Sequence, residues 1–462
     1  MSKQSLKEQD ASKNEPAVAA TTNAAVGLPD ASDEAKQVLF EAGIDPDRLS
    51  ILHLGRPPQL LGKRVPPWAR RMAIGYSLWL LLQALDFFSV VLPTLVTAGL
   101  SLVVGLIILQ VACQVLVTAT ERFSARMNWS HYVAGTVAEM LATLPECVVI
   151  AFVVPVSPLT AFVIAMVTIY NNALVFSIYS YFLPRDRHGK FLMPKPITDA
   201  GTQILIAGGS LGLVLGLVMI VFGMNGHPKR SFAAIDLAIV SILLLAVFVV
   251  YLYKVVRDSG REEDKVHAAL ELTDDEKKHR RSLVYQHVTE SSLPMILLLL
   301  ALGIMGAFLG GERVAHFAEL AIQDLHLNEI LAAVILAVFA GMSQYVILWT
   351  SHRKKEYGIA LANAFGGITQ LLFLIVPFTL AAIAVYQVFI NPTHPDLPIG
   401  FTVPNILLVI FLFPTFHTLA ALLENDHTMG ILDTVIMIAI VGLLILLLVT
   451  YGGQAPDVQV PT

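Results

Sequence analysis

The sequence predicts an all-α polytopic membrane protein of about 11 transmembrane helices, arranged as two inverted five-helix repeats plus one additional N-terminal helix. Three observations predict this fold: the composition, a series of long apolar segments and a weak internal repeat. Of the 462 residues, 56% are hydrophobic and only 14% are charged, whereas soluble domains carry roughly 25% charged residues. The composition therefore argues against a soluble globular protein, a disordered chain and a protein that binds nucleic acid.

The apolar segments are each long enough to cross a bilayer, which needs about 20 residues. The additional helix is predicted at 72–95, the first repeat at 96–255 and the second at 291–452. Within the two repeats the predicted spans are 97–119, 131–155, 158–183, 202–225, 232–255, 292–312, 327–350, 357–387, 403–423 and 428–451.

One predicted span, 357–387, is longer than an untilted crossing requires and contains Gly366, Gly367 and Pro377. Proline removes a backbone hydrogen bond, and sharp kinks occur mainly at proline, at glycine and at π-helical turns. We therefore expect this span to be kinked or broken.

The positive charges predict the orientation of the chain. Of the 30 Lys and Arg residues, 22 fall in loops on one side, and only Lys229, Arg230 and Arg313 fall in loops on the other. Because cytoplasmic loops are enriched in Lys and Arg, the N-terminus is predicted to be cytoplasmic and the C-terminus outside. A cytoplasmic tail (1–71), a cytoplasmic loop (256–290) and a C-terminal tail (453–462) complete the chain. We expect the cell (inner) membrane, with an organellar membrane as the alternative.

The internal repeat relates ATLPECVVIAF (142–152) to AGMSQYVILWT (340–350). It aligns Glu146 with Gln344, an offset of 198 residues, and the same offset aligns Asn172 with Gln370. Five spans separate the two copies, and five is odd, so the copies must cross the membrane in opposite directions. Secondary transporters are built from inverted repeats of this kind.

Glu146 is a carboxylate in the middle of an apolar segment, preceded by Thr143 and Pro145. Because a carboxylate at the bilayer centre costs at least about 2.5–3.5 kcal/mol, such residues usually line a cavity or bind something. Glu139 lies two helical turns earlier on the same face, where it is either a second ligand or an interfacial acid. The alternative for Glu146 is a protonated, hydrogen-bonded structural acid.

Uncharged oxygen ligands lie at matching depth in the two halves. A hard cation such as calcium takes six to eight oxygens, which amide and hydroxyl groups can supply; the alternative for each amide is an interhelical hydrogen bond. The predicted metal-ligating residues are Glu146, Asn172, Gln344, Gln370, Thr369, Thr143, Glu139 and Asn171. We predict neither a resident cofactor nor an enzyme, because no zinc helix, phosphate-binding loop or nucleophile elbow occurs.

These motifs resemble the calcium/cation antiporter superfamily, which includes the sodium/calcium exchanger family, and are closest to calcium/proton antiporters. The resemblance rests on LPECVVIAF and NNALVFSI in the first half and on SHRKKEYGIALANAFGGITQLLFLIVPFT (351–379) in the second. It implies that Glu146 is the ion-binding carboxylate and that Asn172 and Gln370 are ligands on the partner helices. The family has a second carboxylate where this chain has Gln344.

The resemblance implies a secondary active cation antiporter that exports calcium from the cytosol in exchange for protons or sodium by alternating access. Two alternatives remain: an antiporter of the same fold for another metal or a monovalent cation, which Gln344 suggests, and a non-transporting membrane sensor or scaffold. The expected partners are the transported cation, its counter-ion and the lipid bilayer, and the sequence leaves a homo-oligomer open.

Overall fold

The computed structural model describes most of the predicted membrane region. The described residues are 67–88, 92–127, 137, 140–183, 201–224, 231–269, 292–341, 344–345, 348–349, 352, 357–390, 399–426 and 431–451. Most of the predicted N-terminal tail, much of the loop 256–290 and the C-terminal tail lie outside them, as does Glu139.

Helices occupy every one of the eleven predicted membrane segments. They are α1 (Pro67–Phe87), α2 (Thr94–Arg126), α3 (Leu144–Val153), α4 (Pro158–Tyr181), α5 (Thr202–Met224), α6 (Ala234–Ala269), α7 (Leu293–Glu319), α8 (Glu329–Ala340), α9 (Tyr357–Gln370), α10 (Val376–Val385), α11 (Val403–Ile410), α12 (Leu412–Asp426) and α13 (Ile431–Tyr451). Among the described residues, eight helices are long and apolar enough to cross a membrane, and two apolar helices, Met140–Val153 and Glu329–Ala340, are shorter. This confirms an all-α polytopic membrane protein.

Prolines mark where several helices begin. A proline lies in the first turn of each of α3, α4, α7, α10 and α11, where its missing N–H would have no helical partner in any case. At α4 the preceding Ser157 side chain also accepts a hydrogen bond from the Thr160 N–H at 3.0 Å. These local signals set helix starts inside a chain that is apolar almost throughout.

The span 357–387 is irregular but is not interrupted. After α9 a π-helical turn, Leu371–Ile375, leads into α10, and a second π-helical turn, Tyr386–Ile390, follows it within one apolar span, Ala364–Ile390. Pro377 in the first turn of α10 cannot donate a backbone hydrogen bond, so the regular ladder is interrupted there. The π-helical turn lies directly after Gln370.

The prediction that Arg313 lies in a loop is wrong, because this residue is part of helix α7. The span was predicted to end at residue 312, but α7 continues to Glu319, and Arg313 is buried within it with 4% of its surface exposed. Val314 and Ala318 on this last part of α7 are also buried. Packing against the rest of the protein therefore extends the helix beyond the point where the hydropathy falls.

The contact between α2 and α7 shows that the two repeats run in opposite directions. A Cβ atom on Gly105 of α2 would lie 2.8 Å from a Val314 side-chain carbon of α7, and one on Gly303 of α7 would lie 2.7 Å from the Leu116 side chain of α2. A later residue of α2 thus meets an earlier residue of α7, so the helices are antiparallel. The 198-residue offset converts one contact into the other, as a twofold axis requires.

The remaining helices pack in the same paired way. Helix α4 packs against α9, and α5 packs against α12, while α6 contacts α10 and the equivalent α13 contacts α4. Ser241 of α6 donates to the Pro377 carbonyl at 2.8 Å, and Thr434 of α13 donates to the Ser177 carbonyl at 2.9 Å. Of the long helices described, α4 and the α9–α10 span are the most deeply buried. In their most apolar stretches, 78% and 72% of the residues are buried inside the protein.

The additional helix α1 lies outside the paired repeats. It packs against α2, and the Tyr76 hydroxyl donates to the Leu302 carbonyl of α7 at 3.3 Å. Its contacts are therefore with the outer side of the α2–α7 pair.

Candidate cation site

The first half of the site is built on an irregular turn of the membrane helix at Thr143. The N–H groups of Glu146 and Cys147 both donate to the Thr143 carbonyl, at 3.1 and 3.2 Å, and α3 has Pro145 in its first turn. Glu146 lies directly after this turn, inside the apolar helix Met140–Val153.

The second half repeats this geometry at Gly341. The N–H groups of Gln344 and Tyr345 donate to the Gly341 carbonyl at 3.1 and 3.2 Å. The offset of 198 residues that aligns Glu146 with Gln344 also aligns Thr143 with Gly341. The two halves therefore carry the same irregular turn at equivalent positions. Secondary transporters form their ion sites at irregular points of membrane helices in equivalent repeats.

Most of the described candidate ligands are buried. The fully buried ones are Thr143, Glu146, Asn172, Thr369 and Gln370, each at most 6% exposed. Asn171 and Gln344 are half-buried.

Several of their polar atoms have no hydrogen-bond partner within the described part of the chain. This holds for both Glu146 carboxylate oxygens, for Asn172 Nδ2 and for Gln370 Oε1. Leaving a buried polar group unsatisfied costs roughly 1–3 kcal/mol, and more for a charged group. Three unsatisfied residues at equivalent depth fit a site that a ligand completes.

The two threonines keep their hydroxyl oxygens open to a cation. Thr143 donates to the Met140 carbonyl at 2.8 Å, and Thr369 donates to the Gly366 carbonyl at 3.0 Å. Because a hydroxyl has one hydrogen and two lone pairs, each oxygen remains an acceptor after this bond.

Gln344 lies between the two halves. Together with Asn172, Val175, Leu348 and Ala364 it lines a small crevice with room for about one water molecule. Its amide rests on α9, because a Cβ atom on Gly367 would be 2.8 Å from Gln344 Oε1. A glycine at 367 is therefore what allows this amide to reach α9.

Tyr345 belongs to the site and was not among the sequence-predicted residues. Its hydroxyl accepts a hydrogen bond from Asn171 Nδ2 of the first half. The same hydroxyl lies 2.7 Å from the place a Cβ of Gly341 would take. The sequence repeat could have pointed to this residue, because it aligns Tyr345 with Cys147, the neighbour of Glu146. An aromatic residue in an apolar span, however, suggests core packing.

The structure thus places Asn172 and Gln344 around the same crevice and the Gln344 amide against α9. It also links Asn171 to Tyr345 by a hydrogen bond. Glu139 lies outside the described residues. Within the described ranges, no three His, Cys, Asp or Glu side chains cluster as a metal site, so a cation here needs amide, hydroxyl and carbonyl oxygens beside the Glu146 carboxylate. The assignment of these residues as ligands stays a prediction.

Comparison with solved structures identifies proteins of the same fold. The crystal structure of the H⁺/Ca²⁺ exchanger CAX is similar with a TM-score of 0.58 and 12% identity, over 83% of this chain and 89% of that one. The structure of native YfkE is similar with a TM-score of 0.53 and 14% identity, over 82% and 98%. A selenium-substituted Ca²⁺/H⁺ antiporter protein YfkE gives 0.52 and 13%, over 82% and 98%.

At these identities the likeness shows the fold, and it confirms the fold that the resemblance to the calcium/cation antiporter superfamily implied. No protein-family model matches the chain, and no curated protein does.

Proposed function

We propose that the protein is a secondary active antiporter that exchanges a cytosolic cation, calcium in the first instance, for protons or sodium. The observation that carries this proposal is the Glu146 carboxylate, buried in an apolar helix of the first repeat without a hydrogen-bond partner among the described residues. The similar structures of an H⁺/Ca²⁺ exchanger and a Ca²⁺/H⁺ antiporter support it.

Competition for Glu146 would couple the two ion fluxes. A bare carboxylate is costly in an apolar interior, so the site is stable either with a cation bound or with the counter-ion, a proton or sodium, on the carboxylate. Reorientation of the empty, charged site is disfavoured for the same reason. The buried oxygens of Thr143, Thr369 and Gln370 would complete the coordination of the cation.

One side of the site carries a polar contact between helix starts. The Ser157 hydroxyl donates to Glu329 at 3.2 Å and joins the start of α4 to the start of α8, on the side that the Lys and Arg distribution predicts to be outside. We propose that this contact closes the outer side of the site, in a cell membrane with the N-terminus inside, as alternating access requires of one side at a time.

The substitution Glu146→Gln tests the proposal. It keeps the shape of the side chain and removes the charge that both ions share, so counter-flux in proteoliposomes should fall to the level of protein-free vesicles. Flux is followed with ⁴⁵Ca²⁺ and an internal pH dye, in the presence and absence of a sodium gradient.

The matched control is Glu312→Gln, which removes an exposed carboxylate on α7 and should leave flux unchanged. Both variants should match the parent protein in thermal unfolding temperature within a few degrees. Full exchange by the folded Glu146→Gln variant would remove this carboxylate from the mechanism.

Gln344 supports a second candidate, an antiporter of the same fold for another metal or a monovalent cation. An amide lines the crevice at the position aligned with Glu146, so the two equivalent positions carry one formal charge between them. Flux measured in turn with Ca²⁺, Mn²⁺, Mg²⁺, Na⁺ and K⁺ against an imposed pH gradient distinguishes the candidates. A sensor or scaffold would show neither flux nor an ion-dependent thermal shift with any of them.

A further inference from the structure

An apolar cavity, the α5–α6 cavity, lies outside the candidate cation site. Its walls include Leu215 and Met219 of α5, Leu237 and Leu244 of α6, and Val376 of α10, and every described residue that lines it is apolar or glycine. Its volume is about 50 Å³. Because a group the size of a water molecule needs about 10–15 Å³, about four methylene groups fit. A cavity with such walls stays free of water and binds apolar ligands.

The α5–α6 cavity lies in one half of the membrane. Helix α6 begins at Ala234, and Leu244, the last residue of α6 that lines the cavity, lies about 15 Å along the helix from there. Met219 of α5 lies close to the end of that helix at Met224. Since the hydrocarbon core is about 30 Å thick, the cavity belongs to the half on the side that the Lys and Arg distribution predicts to be outside.

The cavity is closed toward the outer solution and open toward lipid. On the predicted outer side Phe232 and Ile399 line it, and Phe232 packs edge to face on Phe401 with the ring centroids 5.0 Å apart. At its side Leu211 of α5 lines the cavity and is 39% exposed. In the most apolar stretches of α5 and α6 only 39% and 22% of the residues are buried inside the protein, so this opening faces the bilayer.

The packing of α5 and α6 explains why a gap exists between them. Helix α5 packs against α11 and α12, whereas α6 packs against α10. At the predicted inner end Lys254 Nζ of α6 donates to Gln203 Oε1 of α5 at 2.7 Å, while in the outer half the cavity separates the two helices. The gap is therefore continuous with the lipid-facing surface. An empty gap forfeits dispersion contacts, and the acyl chains of the adjacent leaflet are the neighbouring groups that can supply them.

The inner wall of the cavity is the irregular turn that follows Gln370. Leu372 of the π-helical turn and Val376 of α10 both line the cavity. Leu372 also fixes the distance to α5, because a Cβ atom on Gly208 would meet its side chain. Gln370, a candidate ligand of the cation, lies two residues before Leu372. A group that fills the cavity therefore packs against the turn next to the candidate cation site.

We propose that the α5–α6 cavity is a binding site for a lipid acyl chain. The end of one chain from the predicted outer leaflet enters between α5 and α6 at Leu211 and packs against the turn that follows Gln370. The site is separate from the ion exchange proposed above and does not depend on it.

Photo-crosslinking from the bilayer tests the proposal. Full-length protein is reconstituted in phosphatidylcholine vesicles that contain a phosphatidylcholine with a diazirine near the end of one acyl chain, and adducts are located by peptide mass spectrometry after irradiation. We expect adducts at Met219 and Leu244, which are 0% and 6% exposed, as well as at lipid-facing residues such as Leu217. Adducts confined to exposed residues would overturn the proposal, whether the cavity is then empty or covered by another part of the chain.

Filling the cavity with a side chain should displace the lipid. Val240 lines the cavity, so Val240→Trp should reduce the adducts at the two buried residues to background and leave those at exposed residues unchanged. The matched control is Ile242→Trp, on the exposed side of the same helix, which should change neither. If Val240→Trp does not fold, Leu211→Trp covers the opening and should act in the same way. Unchanged adducts at the buried residues in a folded variant of either kind would contradict an acyl chain in the cavity.

Flux measured on the same vesicles separates this inference from the proposed function. Crosslinking requires no transport, so adducts at the buried residues of a protein that moves no cation would support the lipid site and overturn the exchange. Normal exchange by a protein whose adducts are confined to exposed residues would overturn the lipid site alone.

Discussion

Glu146 shows how one residue can be both costly and stable at membrane depth. Its carboxylate is buried, but its backbone lies in the first turn of α3, where the helix dipole favours negative charge. Pro145 occupies the neighbouring first-turn position and loses no helical hydrogen bond there. Proline and glutamate, the two residues that stand out in this apolar stretch, are both favourable in the first turn of a helix.

Gln344 is the residue whose change should alter ion binding most directly. Replacing it by glutamate adds a carboxylate at the crevice, and interactions with a charged group are worth roughly 1.5–3 kcal/mol. If Gln344 is a ligand, Gln344→Glu should tighten Ca²⁺ binding by about tenfold or more, measured by ⁴⁵Ca²⁺ displacement on purified protein.

The control for this change is Gln203→Glu, which adds a carboxylate at an exposed position beside Lys254 and should leave calcium affinity unchanged. If a folded Gln344→Glu variant bound Ca²⁺ with unchanged affinity, the side chain at position 344 would not be a ligand of the cation.

At the scale of helices, close packing depends on glycines at a few points. The backbones of α2 and α7 approach so closely that a Cβ on Gly105 would lie 2.9 Å from the Gly310 carbonyl oxygen. Small residues allow this approach between membrane helices, and dispersion contacts then hold the pair. This pair lies on the axis that relates the two repeats, so its spacing affects both of them.

The substitution Gly105→Leu should destabilise the protein, because a side chain there meets the backbone of α7. Overpacking typically costs about 1–3 kcal/mol, which should lower the thermal unfolding temperature in detergent by several degrees. Gly99→Leu is the matched control in the same helix, since a Cβ there would meet nothing within 4 Å. Equal stability of the two variants would contradict the close approach of α2 and α7.

For the whole molecule, the antiparallel repeats bring the starts of α4 and α8 together on the predicted outer side. The Ser157 hydroxyl donates to Glu329 there, and the Tyr386 hydroxyl donates to the Pro155 carbonyl at 3.5 Å. If the halves move against each other during transport, the contact between the starts of α4 and α8 must open once per cycle.

Joining these two points should therefore stop transport. In a background that lacks Cys113 and Cys147, the double variant Ser157→Cys/Glu329→Cys, bridged by a short bifunctional methanethiosulfonate reagent, should lose flux and regain it on reduction. The two single variants treated in the same way should keep their flux. Undiminished flux in the bridged double variant would show that this contact stays closed during transport.

Hydropathy, charge and repeat spacing are local properties, and for that reason the sequence alone predicted the apolar segments, the irregular span around Pro377 and the inverted repeats. Eight of the described helices are long and apolar enough to cross a membrane, so the number of eleven spans stays a prediction. The alignment of Glu146 with Gln344 came from the same local properties. These features depend on which residues follow one another, and every span has to satisfy its own backbone hydrogen bonds in lipid. The ligand set stays a prediction, and Glu139 lies outside the described residues.

Only the tertiary structure decided how distant spans meet. The burial of Arg313 within α7, the contact of Gln344 with Gly367 and the contact of Asn171 with Tyr345 all depend on packing between helices. No sequence pattern contains such distances, because residues 174 positions apart become neighbours only when two apolar helices exclude lipid from between them.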